Sequence, residues 1–448
     1  MAGPSDKARF YLEQSVEGLN ELERKKIFTK EEISSIARKR SEFEHIINAR
    51  GSHPSDYVRY IDFEKNVEAL RRKRIKRLGV RSVGSGQKTI FFLYNRATRK
   101  FSGDLGLWMQ YIDFARREKA YKKLNEIFTA VVRLHPTKPN LWIHAAKYFM
   151  DTQADITNAR SYMQRGLRFC KSSESLWVEY AKLETLYIGK IVGRRKILGL
   201  DVDRKKEEMG DDFGADTIAL PEITGEDVNP SLGKLDGDDE VALQNLASAP
   251  VLTGAIPIAV FDSAMKQLQG GPELAEHFFD MFAEFNQLPC IQHILRHVLD
   301  FLQENAPNAI HTIICQFRMQ LFGLHLESPE FPPALRDSLE LLSATAERDS
   351  KHKAHLSESA IRQILPLLRT AEQIDEPALR KVLASSLRKY SRILEEGRKG
   401  SGGDVVVELV EKLQQGGLVD DARRLAQAGA KQWPANAKFQ HLQISLES

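Results

Sequence analysis

The chain has 448 residues, 28% of them charged and 42% hydrophobic, which is ordinary folded-protein composition and enough for a large core or an extended array. Its 65 basic and 61 acidic residues leave a net charge of +4, so a globally basic nucleic-acid binder is excluded and any basic surface must be local. No stretch approaches the roughly 18 apolar residues of a membrane span, and the opening MAGPSDKARF carries no apolar secretory run, so the expectation is a cytosolic or nuclear protein with no membrane partner.

Residues 1–50 are expected to form a helical docking segment. Between residues 5 and 22, Phe10, Leu12, Val16 and Leu19 recur at roughly helical spacing. Thr29 and Glu32 then spell a T-x-x-E capping box, which starts a second helix reaching about Asn48. Its apolar positions are Ile33, Ile36, Phe43, Ile46 and Ile47, opposite Arg38, Lys39 and Arg40. Two readings stand: an ordinary solvated helix face, or a grip on a partner. The partner reading uses Phe10, Leu12, Val16, Leu19, Ile33, Ile36, Phe43 and Ile47.

Residues 51–200 read as a first array of helical hairpins. His53-Pro54-Ser55 is a turn, and the next helix carries Tyr57, Tyr60 and Phe63-Glu64 in a W-x-x-Y-x-x-F/L-E frame with tyrosine in the tryptophan slot. A basic run follows: Arg71, Arg72, Lys73, Arg74, Lys76, Arg77 and Arg81. It suits RNA phosphates or an acidic protein, resembles a nuclear-localisation patch by composition, and equally suits a solvated helix C-terminus. A further helix is expected from about Lys88 to Lys100.

The phrases LWMQYIDFA, LWIHAAKYF and LWVEYAKLE then place Trp108, Trp142 and Trp177 at intervals of 34 and 35 residues. That period marks a helical-hairpin solenoid. Trp108, Tyr111 and Ala115 form one stripe of a helix, as do Trp142 with Ala145 and Trp177 with Tyr180. The alternating helices carry small residues, Ala159 and Gly166 among them, which allow close approach. These aromatics are expected to be packing residues, not a cofactor box or a base-stacking platform. After Leu186 a separate helix is expected, with Ile191 and Leu198.

Residues 201–250 are rich in Asp and Glu and poor in aromatics, and read by composition as an exposed, disordered acidic insertion. Residues 251–448 resume a degenerate array in which Phe278 takes the tryptophan place. There the segment ESPEFPPA is expected to be a loop, and Pro366 to end or kink its helix.

No catalytic constellation emerges. Cys170, Cys290 and Cys315 lack metal-ligand spacing and read as buried thiols of a reducing compartment. His293 and His297 lie four apart without the H-E-x-x-H order, and GRKGSGG lacks the order of a phosphate-binding loop. The expectation is therefore an all-α solenoid of antiparallel HAT/TPR-like hairpins, with no enzyme activity, cofactor or metal.

The tryptophan frames and small-residue helices resemble the half-a-TPR (HAT) repeat family of RNA-processing factors. The order FYLEQSVEGLNELERKKIFTKEEI, RKRSEFEHII and DYVRYIDFE narrows the likeness to the HAT-repeat subunits of the UTP-B subcomplex of the small-subunit processome, over residues 8 to about 190. That resemblance implies a nucleolar scaffold in U3 snoRNA-dependent processing of the 18S precursor. It implies a hetero-oligomer with other UTP-B subunits, especially WD-repeat propeller proteins, and with the U3 snoRNP and pre-rRNA. It carries no catalytic residues. The alternative is a direct RNA-binding HAT protein of another RNA-processing complex.

Overall fold

The computed structural model describes residues 4–79, 86–197, 252–348, 352–374, 376–398, 402–434 and a few positions up to 442. Arg81, the acidic insertion, Leu198 and most of the turn before Gly86 lie outside them. Among the described residues there are eighteen α-helices and no strand. They build two compact units, Met1–Ala145 and Ala146–Ser448.

The first unit holds α1 (Pro4–Arg24), α2 (Lys30–Asn48), α3 (Pro54–Leu78), α4 (Gln87–Lys100), α5 (Leu105–Arg117), α6 (Tyr121–Leu134) and the start of α7 (Pro139–Thr152). Consecutive helices pair as hairpins: α1 with α2, α3 with α4, α5 with α6. Local chemistry sets the boundaries. Thr29 Oγ1 accepts from the Glu32 backbone N–H, and Glu32 returns a bond to the Thr29 N–H, so two of the backbone donors at the start of α2 are satisfied reciprocally. Asp104 caps α5 from one side only, its carboxylate accepting from the Gly106 and Leu107 N–H groups. Pro54 lies in the first turn of α3, where its missing N–H costs nothing.

The expected packing positions of this unit all lie in the interior. Tyr57, Trp108, Tyr111, Ala115, Trp142 and Ala145 are buried. Tyr111 stacks on Tyr94 with ring centroids 5.0 Å apart. The indoles have a second task. Trp108 Nε1 donates to the Ser102 carbonyl at 3.0 Å and Trp142 Nε1 to the Pro136 carbonyl at 2.9 Å, so each ring ties its helix to the preceding turn.

The second unit continues with α8 (Ile156–Phe169), α9 (Glu174–Ile197), α10 (Ala255–Leu268), α11 (Pro272–Ala283), α12 (Ile291–Asn305), α13 (Ile310–Leu321), α14 (Phe331–Arg348), α15 (Lys353–Ile374), α16 (Pro377–Gly397), α17 (Asp404–Gln415) and α18 (Val419–Gln432). Ala159, Gly166, Trp177, Tyr180 and Phe278 are buried in it.

Three expectations need correction here. The separate helix after Leu186 does not exist, because α9 runs unbroken from Glu174 to Ile197 with Ile188 and Ile191 buried. Its hairpin partner is α10, beyond the acidic segment. That segment therefore connects the two helices of one hairpin, and α11 packs on α9 as the next helix of its kind. Lys182 and Glu284 bridge these two helices at 2.7 Å. The ESPEFPPA stretch is only partly loop, since Phe331 starts α14 with Pro332 and Pro333 in its first turn. Pro366 does not end α15, which continues to Ile374; the Thr370 hydroxyl donates to the Pro366 carbonyl at 3.1 Å.

Candidate partner-docking site

The N-terminal helices divide the expected docking residues sharply. Leu19, Ile33 and Ile36 pack with Ile27 and Phe28 in a small core of their own. Ile47 is fully buried, and Phe43 stacks on Tyr60 at 5.1 Å. These five are corrected from partner-facing to internal: α1, α2 and α3 cover one another, and the apolar face of α2 is used inside the chain. Leu12 is half-buried. Only Phe10, 56% exposed, and Val16, 48% exposed, still face outward.

Phe10 belongs to a cluster that periodicity did not reveal. Its ring meets Tyr11 at 5.5 Å, and Tyr11 meets Phe92 of α4 at 5.4 Å. Phe92 is itself exposed. Beneath them Arg96 stacks on Tyr11, 4.0 Å from the ring centroid. Arg96 also makes two hydrogen bonds to Glu44, at 2.8 and 3.0 Å, and Glu44 is buried. Burial opposes the charge on Arg96, but the Glu44 carboxylate outweighs it and raises the guanidinium above its ordinary range. The result is an aromatic patch on a rigid ionic base. Its signal was present as the pairing of α1 and α4 aromatics, 81 residues apart between Tyr11 and Phe92, which no local period reports.

The basic run is also divided. Arg71 is buried and makes two bonds to Glu68, at 2.6 and 3.0 Å. Arg72 joins Glu68 at 2.9 Å to Glu118 at 2.8 Å. Burial works against ionisation of Glu68, yet the Arg71 and Arg72 bonds overcome it and hold the carboxyl below its ordinary range. Arg74 makes two bonds to Glu32, at 2.6 and 2.7 Å, donates to the Ile27 carbonyl at 3.0 Å, and lies over the Phe28 ring. Arg71 and Arg74 are therefore corrected from partner contacts to internal ties, whereas Arg72 is ion-paired within the chain and still exposed. Lys73, Lys76 and Arg77 are exposed.

Among the described residues no group of three or more His, Cys, Asp or Glu is placed to hold a metal ion. Cys170, Cys290 and Cys315 are buried free thiols, each pushed up from its ordinary pKa by burial. None is a ready nucleophile.

The sequence profile of the family described as U3 small nucleolar RNA-associated protein 6 matches residues 12–98, which is α1 through α4. A second profile, the PRP39 N-terminal HAT repeat, matches residues 86–190, through α9. The Schizosaccharomyces pombe protein named U3 small nucleolar RNA-associated protein 6 is 35% identical over 48% of this chain. The chain is similar to U3 small nucleolar RNA-associated protein 6 over part of its length. Its Homo sapiens relative is 30% identical over 40% of the chain, and a Dictyostelium discoideum relative is 23% identical over 98% of it. The matched stretches span 45% of the fission-yeast protein, 31% of the human one and 73% of the Dictyostelium one. The hairpins and buried aromatic frames are HAT/TPR-like helical repeats.

Proposed function

We propose that the chain is a non-catalytic scaffold subunit of the small-subunit processome, within UTP-B, acting in U3 snoRNA-dependent 18S pre-rRNA processing in the nucleolus. The observation that carries this is the family match over residues 12–98, which holds Phe92 and begins directly after Phe10 and Tyr11 of the same aromatic patch. An exposed aromatic patch on a pre-organised base is what a protein partner uses as an anchor. WD-repeat propeller proteins of the same subcomplex are the partners this reading assigns to it, with Val16 at its edge.

The test is a double substitution, Phe10→Asp and Phe92→Asp, in the tagged full chain. Both side chains are exposed, so the fold tolerates the change. Propeller subunits should be lost from the purified material, and unchanged co-purification would refute this placement of the grip.

Direct RNA contact is the second reading, and the exposure of Lys73, Lys76 and Arg77 on one end of α3 favours it. Three such cations give a shallow salt dependence, about one unit of slope for each phosphate engaged. Replacing all three with glutamine should remove that dependence from pre-rRNA binding. Binding that ignores both salt and the substitutions would reject RNA contact here.

A further inference from the structure

A groove in the second unit, between α15, α16 and α18, carries three cations, Lys381, Arg388 and Lys431, that no carboxylate among the described residues answers. Its floor is apolar and shallow, made by Leu368, Ala384, Leu387 and Ala428. Its rim is cationic: Arg380, Lys381 and Arg388 on α16 face Arg424 and Lys431 on α18. Helical spacing puts Arg380, Ala384 and Arg388 in one row. Glu372 is the one carboxylate among the lining residues, and Arg424 already holds it at 2.8 Å. Lys381, Arg388 and Lys431 are exposed and make no ion pair among the described residues.

Cations gathered around a groove repel one another, and an apolar floor left in water forgoes burial. A ligand that relieves both must carry negative charge along its edges and small apolar groups at its centre. RNA meets the first need and not the second. No aromatic ring lines the groove, so a base finds no stacking surface there. The two alanines also leave room for side chains, not for a sugar-phosphate ridge.

We propose that this groove docks an acidic, amphipathic segment of a partner protein, its apolar face on Ala384 and Ala428 and its carboxylates on Lys381, Arg388 and Lys431. The proposal rests on the scaffold reading for the existence of a partner, but the groove's chemistry is independent of which complex supplies it.

The test uses the purified full chain and fluorescence anisotropy with three labelled probes. One is a helical peptide with leucine and alanine on one face and glutamate on the other. The second is a scrambled peptide of the same composition, and the third is oligouridine. Saturable binding of the amphipathic peptide is expected, weakening as salt rises. The combined substitution Lys381→Glu, Arg388→Glu and Lys431→Glu should weaken it by about tenfold or more. Ala384→Trp should weaken it as well, without altering charge, because it fills the floor. Melting curves of both variants report that the fold is intact. Equal binding of amphipathic and scrambled peptides, preference for oligouridine, indifference to the substitutions, or absence of binding would each overturn the proposal. Failure here alongside intact co-purification of processome components removes only the groove, whereas loss of that co-purification removes the scaffold reading.

Discussion

Arg160 on α8 holds Glu184 on α9 with two hydrogen bonds, Nε to Oε1 at 2.8 Å and Nη2 to Oε2 at 2.7 Å. Arg40 holds Glu64 in the first unit by the same pair of atoms, at 2.7 and 2.8 Å. Both pairs are 24 residues apart, and each glutamate lies seven residues after the frame aromatic, Trp177 or Tyr57. After Trp108 and Trp142 that seventh position is Ala115 or Phe149, and the residues 24 earlier, Phe91 and Asn125, are uncharged. Arginine and glutamate therefore occur together or not at all in these four frames.

This bidentate lock predicts a strongly non-additive mutant cycle. The Glu184 side chain is only 1% exposed, so Arg160→Leu strands a buried carboxylate at a cost of about 3–5 kcal/mol. Replacing both residues with leucine removes the stranded charge, and the double variant should lie within about 1 kcal/mol of the wild type. Urea unfolding of the two single variants and the double variant measures this. Equal losses in all three would mean the pair is ornamental.

The indole hydrogen bonds predict an ordering among the tryptophans. Trp108 and Trp142 each donate to a carbonyl six residues upstream. Trp177 Nε1 is buried without a partner among the described residues. Trp108→Phe and Trp142→Phe should each cost about 1 kcal/mol more than Trp177→Phe, where loss of ring area is partly offset by removal of an unsatisfied donor. Thermal unfolding of the three variants decides it, and a Trp177 variant that is the least stable would contradict the assignment.

Acid should weaken the capping box of α2. The Arg74 guanidinium, with the Thr29 backbone N–H next, lowers the Glu32 carboxyl from 4.5 to about 2. A carboxyl whose pKa is lower in the folded state stabilises the fold above its unfolded value and loses that contribution as pH falls toward the folded value. Glu32 is partly exposed, so water screens the ion pair. Glu32→Gln should therefore cost only about 1 kcal/mol at neutral pH, the size of a helix cap. The gap to wild type should narrow on acidification from about pH 5 to about pH 3. A gap that stays constant with pH in denaturant titrations would show that Glu32 acts without its charge.

Gly429 marks the closest approach at the end of the second unit. A methyl group there would collide with the ring of Phe439, which is fully buried. Gly429→Ala should cost about 1–3 kcal/mol by overpacking, against the gain expected in an open helix. Combining it with Phe439→Leu should recover part of the loss, and two independent, additive losses would disprove the contact.

Local chemistry was the legible part of this chain. The Thr29–Glu32 box, the proline start of α3, and the buried stripe of Trp108, Tyr111 and Ala115 depend on neighbours within a turn or two. What required coordinates was the identity of distant partners. The stripe of Leu19, Ile33 and Ile36 announces an apolar face, but periodicity does not say whether the same chain covers it. The basic run names its cations, yet Glu32 and Glu118, which engage Arg74 and Arg72, lie 42 and 46 positions away. The partner of α9 lay hidden for the same reason, with the acidic segment standing between the two helices of one hairpin.

The scaffold reading meets its most direct test in purification of the tagged full chain from its own cells, with quantitation of the RNA and protein that accompany it. Near-stoichiometric WD-repeat propeller proteins together with enriched U3 small nucleolar RNA are the predicted result. A chain that purifies without U3 RNA and without propeller partners would contradict it.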